Sequence, residues 1–262
     1  MMERSKKYAL ITGASEGIGF ELAKLFAADG YNLVIVARDQ LRLDSAAEQL
    51  RKHQIDVVTL SKNLFDPEAF KQVYDEVTGL GLDVEVLVNN AGQGLFGKFA
   101  DTDLERELEI IQLNVGSLVG LTKLFVRDFV ARGSGKILNL ASIASKSPGP
   151  YQSVYHGTKA FVHSFTAALR SELKDSGVTV TSLLPGVTDT GFFAKADMLN
   201  SKALDGEMAD PATVAKDGYE ALMNDKDMVV SGFKNKLIVA MGNVTPDGLQ
   251  ADMMGKMQEP KE

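Results

Sequence analysis

The stretch that decides the fold is residues 8–38, which read YALITGASEGIGFELAKLFAADGYNLVIVAR. An apolar run over 8–12 stops at Gly13, a helical pattern covers about 17–29, and a second apolar run covers 33–37. Strand, glycine turn, helix and strand in this order predict a βαβ unit. Both strands are continuously apolar rather than alternating, which indicates a sheet covered on its two faces.

The same alternation repeats along the chain. Predicted helices cover about 40–53, 67–78, 102–131, 152–174 and 211–223, and predicted strands cover 55–60, 84–88, 136–141, 178–184 and 228–231. Alternating strands and helices form a parallel sheet with right-handed crossovers and with helices on both faces. We therefore predict an α/β fold built on a doubly wound parallel sheet of seven strands.

No linker-like or low-complexity stretch interrupts this pattern, so we expect residues 1–262 to form a single domain. The segment from Thr188 to Met208 is rich in Gly, Asp, Ala and Phe and has no clear period. Aperiodic segments beside a binding site often act as lids, so we expect a substrate lid at 188–210. A C-terminal extension at 233–262 has no readable pattern. Its methionines could cover a partner subunit or be mobile: Met253, Met254 and Met257.

Composition excludes several classes of protein. The chain has no cysteine, which removes disulfides, thiolate catalysis and cysteine-based zinc sites. The N-terminal segment before the first strand, residues 1–7, is short and charged. No run of apolar residues approaches eighteen in length, so we expect a cytoplasmic protein without a membrane span. A net charge of −7 opposes binding to nucleic acid. His53, His156 and His163 lack a metal-like arrangement, so we expect no metal, and His156 should face away from the side that its neighbour Tyr155 uses.

The glycine turn at 12–19 reads TGASEGIG, a GxxxGxG spacing. Three glycines between a buried strand and a helix let backbone N–H groups approach a pyrophosphate, which the positive end of the helix dipole also favours. The turn therefore predicts a bound dinucleotide. The alternative is that the glycines serve only a tight strand-to-helix turn.

The end of the second strand indicates which dinucleotide fits. An acidic residue there accepts hydrogen bonds from the ribose hydroxyls of NAD, whereas an arginine accommodates the 2′-phosphate of NADP. Here Ala37 ends the strand and Arg38 follows, while Asp39 is expected to turn outward or to cap the next helix. We predict NADP(H) in preference to NAD(H), because a guanidinium makes paired charge-assisted bonds to phosphate. The alternative is a solvated arginine at the start of a loop.

Tyr155 and Lys159 are four residues apart on a predicted helix, so the phenol and the ammonium can face the same volume. A phenol is a poor proton donor at its ordinary pKa, and we expect the nearby Lys159 charge to lower the pKa of Tyr155. Ser142 lies thirteen residues earlier, after a strand, and can donate a hydrogen bond to a substrate oxygen. The alternative is an accidental Tyr–Lys spacing with a serine that only caps a turn.

These motifs occur together with Asn89-Asn90-Ala91-Gly92, with Asn114, and with Pro185-Gly186. In this order and at these separations they make the chain resemble the short-chain dehydrogenase/reductase family over about 7–231. It looks most like the NADPH-preferring carbonyl reductases related to the 3-ketoacyl and hydroxysteroid reductases. The resemblance implies a Rossmann-type sheet with the strand order 3-2-1-4-5-6-7.

The resemblance also implies roles for individual residues. Those of the glycine turn would hold the pyrophosphate: Gly13, Ser15, Gly17, Ile18 and Gly19. A segment that begins at Asn90 would line the adenine ribose: Asn90, Ala91 and Gly92. The catalytic tetrad would be Asn114, Ser142, Tyr155 and Lys159, of which Tyr155 and Lys159 also contact the cofactor. The nicotinamide carboxamide would be fixed by Pro185, Gly186 and Thr190.

One position departs from the family pattern. The family usually has an aspartate and an aliphatic residue after the third strand, contacting adenine, and this chain has Asn63 and Leu64. An asparagine still accepts and donates hydrogen bonds, so Asn63 can keep the contact. We expect the change to affect the affinity for adenine and to leave the fold intact.

The function that the resemblance implies is hydride transfer between NADP(H) and a ketone or aldehyde, with the alcohol as the reverse substrate. Apolar residues of the expected lid could belong to the core or form an apolar substrate wall, and we favour the wall: Phe192, Phe193, Met198 and Leu199. In the family, the helix of Tyr155 and the long helix before it often pair across a subunit interface, so we expect a homodimer or homotetramer.

Two other classes of function stay open. One is a regulatory protein that binds NADP(H) without turnover, for which loss of Tyr155 or Lys159 would be the signature. The other is a non-enzymatic interaction protein that uses the methionine-rich tail.

Overall fold

The computed structural model describes residues 7–242 and 245–261, so residues 1–6 of the charged N-terminal lead lie outside it. Its seven strands form one parallel sheet in the order β3-β2-β1-β4-β5-β6-β7. This confirms the predicted α/β fold and strand order. The strands are β1 (Lys7–Thr12), β2 (Asn32–Ala37), β3 (Val57–Ser61), β4 (Asp83–Asn89), β5 (Gly135–Leu140), β6 (Val178–Leu184) and β7 (Met228–Val230).

Helices connect the strands and cover the sheet. Most predicted helices are present, with ends that differ by a few residues; the helix predicted over 40–53 ends at Leu50 and continues as one 3₁₀ turn. The helices are α1 (Gly17–Ala28), α2 (Gln40–Leu50), α3 (Ala69–Gly79), α4 (Leu104–Ile111), α5 (Leu118–Arg132), α6 (Ser153–Glu172), α7 (Phe192–Lys195), α8 (Pro211–Met223), α9 (Phe233–Gly242) and α10 (Asp247–Gln258).

Side chains of each central strand enter two separate cores. Because successive residues of a strand point to opposite faces, Ile11 packs with Phe26 of α1 on one face, while Leu10 packs with Phe125 of α5 on the other. These four side chains are all at most 2% exposed. Burial on both faces is why the strands are continuously apolar.

A buried polar ladder joins the central strands to two helices. Asn89 Nδ2 at the end of β4 donates to Thr122 Oγ1 of α5 and to Asn139 Oδ1 of β5, each at 2.9 Å. Asn139 Nδ2 in turn donates to Thr166 Oγ1 of α6 at 2.9 Å. The ladder fixes the helix that carries Tyr155 relative to the point where the strand order reverses, between β1 and β4.

The long helical region is not one regular helix. Between α4 and α5, Gln112–Ser117 forms a π-helical turn, which the sequence pattern did not predict. By length and composition alone the stretch Leu104–Arg132 would be able to cross a membrane, with a mean hydropathy of 1.3. In the structure it packs on the sheet through buried side chains that include Phe125 and Phe129.

The C-terminal extension folds back onto the segment that follows β6. Ser201 Oγ, which is fully buried, donates to Gln258 O at 2.8 Å at the end of α10. Lys202 N donates to Glu259 O at 3.1 Å, and Lys261 N donates to Asn200 O at 2.8 Å. These contacts join segments about sixty residues apart, so no local sequence pattern predicts them.

Candidate active site

A cavity of about 660 Å³ opens at the carboxyl ends of β1, β4, β5 and β6. It brings together nearly every residue predicted for the site, and Asn114 is the exception. The predicted residues that line it are Gly13, Ser15, Gly17, Ile18, Gly19, Arg38, Asn63, Leu64, Asn90, Ala91, Gly92, Ser142, Tyr155, Lys159, Pro185, Gly186 and Thr190.

The glycine turn borders this cavity and leaves its backbone accessible. Gly13 and Gly17 adopt left-handed conformations, with φ of 67° and 59°. A side chain at Gly19 would place Cβ only 2.3 Å from Gly13 O, so the closely packed turn has no space for one. Asn90 Nδ2 donates to Thr12 O at 2.8 Å and fastens the end of β4 to the turn. A cradle of this shape fits a pyrophosphate.

Basic side chains gather at the end of the cavity beyond β2. The Arg38 guanidinium lies 5.3 Å from the centre of the Phe65 ring, a cation–π distance. Arg42 and Lys62 line the same end. Asp39 caps α2, because its carboxylate accepts from Arg42 N at 3.1 Å, which confirms the predicted capping role. Sequence reasoning missed Arg42, although its position in the first turn of α2, four residues after Arg38, is a readable signal.

Glu16 of the glycine turn links this basic end to the segment after β6. Its carboxylate accepts from Arg42 NH1 at 2.6 Å and also pairs with Lys195 of α7. Thr190 packs beside Gly17 of the same turn, since a Cβ at Gly17 would lie 3.0 Å from Thr190 Cγ2. The start of the predicted lid therefore rests directly on the glycine turn.

Tyr155 and Lys159 project from α6 into the opposite end of the cavity. Lys159 Nζ donates to Leu140 O at 2.8 Å and lies 5.8 Å from the centre of the Tyr155 ring. Ser142 follows β5 and is nearly buried; its Oγ accepts from Ala144 N at 3.1 Å and approaches Pro185 O at 3.4 Å. The three side chains thus meet where β5 and β6 end.

The expected lowering of the tyrosine pKa is not what the structure gives. Burial raises the pKa of Tyr155 to about 12, and a hydrogen bond with Ser142 only partly opposes this. Burial lowers the pKa of Lys159 to about 8. The expectation of a net lowered tyrosine pKa is wrong here, because desolvation raises this pKa more than the Ser142 hydrogen bond lowers it, while Lys159 Nζ donates its hydrogen bond to Leu140 O.

Asn114 lies behind the cavity wall, in the π-helical turn, and is 1% exposed. Its Nδ2 donates to Gln93 O at 2.9 Å and to Thr158 Oγ1 at 3.0 Å, and its Oδ1 accepts from Gln93 N at 3.0 Å. A Cβ at Gly92 would lie 3.3 Å from Asn114 Oδ1 and 3.2 Å from Lys159 Nζ. Asn114 therefore positions the backbone beside Lys159 without bordering the cavity.

Apolar side chains surround the space next to Tyr155. Phe192, Phe193 and Met198 line the cavity as the wall interpretation expected. Leu199 was expected in the same wall, which is wrong: it is 66% exposed and lies outside the cavity, because α7 has ended and its side chain turns to solvent.

The methionine-rich tail also faces the cavity. We call the cavity-lining apolar side chains of α9 and α10 the roof: Ile238, Val239, Met241, Met253, Met254 and Met257. The methionines for which a partner contact or mobility was left open, Met253, Met254 and Met257, thus lie along the cavity. Met253 and Met257 are each more than half exposed, so α9 and α10 show only weak amphipathic patterning, and the roof could not be predicted from the sequence.

Contrary to the expectation from the sequence, His156 does not face away from the side that Tyr155 uses. It is 4% exposed and borders the cavity. Its Nδ1 lies 2.8 Å from Ser147 O and its Nε2 lies 3.1 Å from Gln258 Nε2, so we assign a proton to Nδ1 and an acceptor role to Nε2. Burial lowers the pKa of His156, consistent with a neutral ring. Within residues 7–242 and 245–261, no group of three His, Asp or Glu side chains is arranged to hold a metal ion.

Comparison with known proteins gives matches over most of the chain. Residues 7–199 match the family model of the short-chain dehydrogenases. An uncharacterized oxidoreductase of Staphylococcus epidermidis is 33% identical over 217 residues, which cover 82% of this chain and 92% of the relative.

Two solved structures are similar over nearly the full length. A 7β-hydroxysteroid dehydrogenase has a TM-score of 0.85 and 26% identity, covering 97% of this chain and 100% of its own. A short-chain dehydrogenase from Sphingobium yanoikuyae in complex with NADPH has a TM-score of 0.80 and 28% identity, covering 94% of this chain and 99% of its own.

Proposed function

The chain belongs to the short-chain dehydrogenase family and is an oxidoreductase, and we propose that it is an NADP(H)-dependent enzyme that interconverts an apolar ketone or aldehyde and its alcohol. The observation that carries this proposal is the shared cavity, which has a glycine cradle at one end and Tyr155 with Ser142 and Lys159 at the other. A dinucleotide laid from the cradle to Tyr155 would supply hydride at the reacting carbon.

The charge at the far end of the cavity supports NADP(H). Arg38, Arg42 and Lys62 converge there, and together they fit a 2′-phosphate better than the neutral hydroxyls of NAD(H). Asp39, the acidic residue that would favour NAD(H), is occupied in capping α2. The similar dehydrogenase from Sphingobium yanoikuyae binds NADPH, which agrees with this assignment.

The residues beside Tyr155 support proton transfer by its phenol. Ser142 is placed to hold the carbonyl oxygen, and Tyr155 would give that oxygen a proton as the alkoxide develops. With a pKa near 12, Tyr155 holds its proton throughout the neutral range but gives it up less readily than a free phenol, so proton transfer to the carbonyl oxygen depends on stabilising the phenolate that forms. Lys159 would stabilise the phenolate that remains, and Asn114 would hold the segment next to Lys159.

The apolar walls support a substrate of low polarity. Phe192, Phe193 and Met198 face the space next to Tyr155, and the roof closes it from above. We propose that 188–210 acts as a lid and that the extension at 233–262 completes the substrate chamber within a single domain. We also propose a cytoplasmic homodimer or homotetramer without nucleic-acid or membrane partners.

A panel of ketones and aldehydes, followed by the absorbance of NADPH, tests the proposal with two variants. Tyr155→Phe should lower kcat by at least about a hundredfold while NADPH still binds, because general acid catalysis contributes on the order of 10²–10⁴. Arg38→Asp should raise KM for NADPH at least about tenfold and leave KM for NADH nearly unchanged.

Lys52→Asp is a matched control, because it reverses an exposed charge that does not line the cavity. It should leave both cofactor KM values unchanged. Full activity of Tyr155→Phe would refute the acid assignment, and equal effects of Arg38→Asp on the two cofactors would refute the preference for NADP(H).

A regulatory protein that binds the cofactor without turnover is the second candidate. Tyr155 and Lys159, whose loss would mark such a protein, are both present and both face the cavity. If no member of the panel is reduced although NADPH binds in calorimetry, the regulatory candidate replaces the enzyme.

A further inference from the structure

The Gln152 side chain is buried beside the cavity without a hydrogen-bond partner for its amide nitrogen in the described part of the chain. Gln152 is the N-cap residue just before α6, where a side chain normally caps a free backbone N–H, yet it makes no capping hydrogen bond. It is 4% exposed and lines the cavity next to Tyr155. Its Nε2 is buried and has no hydrogen-bond partner among the described residues.

An unpaired amide in such a place is costly, because a buried N–H loses its hydrogen bonds to water and gains none in return. Buried polar groups without partners are rare and call for an explanation, and one of the common explanations is a catalytic role. The Phe192 ring, which lies beside this amide, is apolar and offers no acceptor.

The backbone around Gln152 has an unusual conformation that hydrogen bonds hold in place. Tyr151, just before it, adopts a left-handed conformation with φ of 66°, which a residue other than glycine rarely takes. Gln152 N donates to Gly149 O at 3.1 Å, and Gln152 O accepts from His156 N at 3.0 Å. Strain of this kind tends to occur at functional sites, and here the residue that follows it lines the cavity.

The amide lies close to the reacting tyrosine. Gln152 Nε2 and Tyr155 Cδ2 are each 3.3 Å from the point that a Cβ at Gly94 would occupy, and Phe192 Cζ is 3.0 Å from the same point. The Phe192 ring, 5.3 Å from the Tyr155 ring, thus covers both groups. Since Phe192 belongs to the proposed lid, one movement of its side chain would uncover Tyr155 and Gln152 together.

We propose that Gln152 is a specificity-determining residue that donates a hydrogen bond to a second oxygen of the substrate, adjacent to the carbonyl that Tyr155 protonates. The inference rests on the proposed function and narrows its substrate class: an apolar ketone that carries an oxygen acceptor next to the reacting carbon. The apolar walls receive the rest of the molecule, and Gln152 selects the polar end.

The test uses two ketones with the same skeleton. Benzil has two adjacent carbonyls, and deoxybenzoin has a methylene in place of one of them, so only benzil offers the second oxygen. The variant Gln152→Met has an unbranched side chain of similar length and removes both amide atoms. Gln72→Met, on an exposed face of α3, is the matched control.

Gln152→Met should lower kcat/KM for benzil at least about tenfold and change that for deoxybenzoin less than about twofold, as expected when one buried hydrogen bond to substrate is lost. Comparing the variant with the wild type on the same ketone cancels the greater intrinsic reactivity of benzil. Gln72→Met should change neither value. Equal losses for both ketones, or no loss for either, would overturn the proposal.

Calorimetry separates this inference from the proposed function. With NADP⁺ present no ketone can be reduced, and the affinity for benzil should fall about tenfold in Gln152→Met while that for deoxybenzoin does not change. If the variant loses affinity for benzil alone although neither ketone is turned over with NADPH, the proposed reductase function fails and the role of Gln152 stands. If both ketones are turned over but bind equally to both proteins, the role of Gln152 fails alone.

Discussion

At the scale of single residues, the site combines two ionisable groups whose pKa values are moved apart by burial. The pKa of Tyr155 is raised to about 12 and that of Lys159 is lowered to about 8. Burial disfavours the charged form of each, so the phenol keeps its proton and the ammonium loses its proton more easily. Of the two groups, Lys159 is therefore the one that changes charge between pH 7 and pH 9.

The lowered pKa of Lys159 predicts how the rate of carbonyl reduction depends on pH. At saturating NADPH, kcat/KM for carbonyl reduction should be level below about pH 8 and fall about tenfold per pH unit above it, because neutral Lys159 no longer stabilises the phenolate. Tyr155 stays protonated across this range and contributes no step of its own.

Initial rates measured from pH 6 to pH 10 provide the check, with Lys159→Met as the comparison. The variant should be slow at every pH and should lack the decline above about pH 8. A wild-type profile that stays level up to pH 10 would contradict the role of the Lys159 charge.

At the scale of elements, the site depends on contacts between segments that are far apart in the chain. Lys195 of α7 pairs with Glu16 of the glycine turn, 179 residues away, and Glu16 also holds Arg42 of α2. The far end of the lid is joined to α10 through Ser201 and Gln258. The proposed lid is therefore tied at one end to the cofactor cradle and at the other to the roof.

Lys195→Met removes the first of these ties. It should raise KM for NADPH and for NADH alike by about two- to fivefold, since exposed ion pairs contribute roughly 0.2–1 kcal/mol and this one does not contact the 2′-phosphate end directly. Backbone hydrogen exchange over 190–196 should become faster, because the start of the lid is held less firmly.

Lys216→Met is the control, because it removes an exposed lysine whose partner, Glu220, lies on the same helix α8. Its kinetics and exchange should match the wild type. The difference caused by Lys195→Met should also shrink at high salt, and a difference that is independent of ionic strength would rule out the ion pair as its cause.

At the scale of the whole molecule, the sheet was predictable and much of the chamber was not. Each buried strand shows its apolar pattern within its own few residues. Because the carboxyl ends of parallel strands meet at one edge of the sheet, Gly13, Ser142 and Pro185 could be placed together from sequence. The roof and the Glu16–Lys195 pair depend on contacts between distant segments. The π-helical turn around Asn114 has no local pattern that distinguishes it from an ordinary helix.

The outer surface of the long helices supports the proposed oligomer. Leu104, Leu108 and Ile111 lie at helical spacing on α4 and are 65%, 54% and 41% exposed, and Phe161 of the adjacent α6 is 44% exposed. An apolar stripe of this kind is typical of a subunit interface. We expect a mass of two or four chains in light scattering.

Leu108→Glu should shift that mass toward the monomer, because it places a charge in the middle of the stripe. Leu41→Glu, at an 83% exposed position of α2, should leave the mass unchanged. A monomeric wild-type protein would contradict the proposed assembly.

The roof has a consequence for the chemical durability of the molecule. Met241, Met253 and Met257 face the chamber on one side and are more than half exposed on the other, so peroxide can reach their sulfur atoms. Oxidation to sulfoxide would turn an apolar ceiling into a polar one without touching Tyr155. Oxidative stress would then weaken the hold on apolar substrates before it affects the chemistry, and a methionine sulfoxide reductase would reverse the damage.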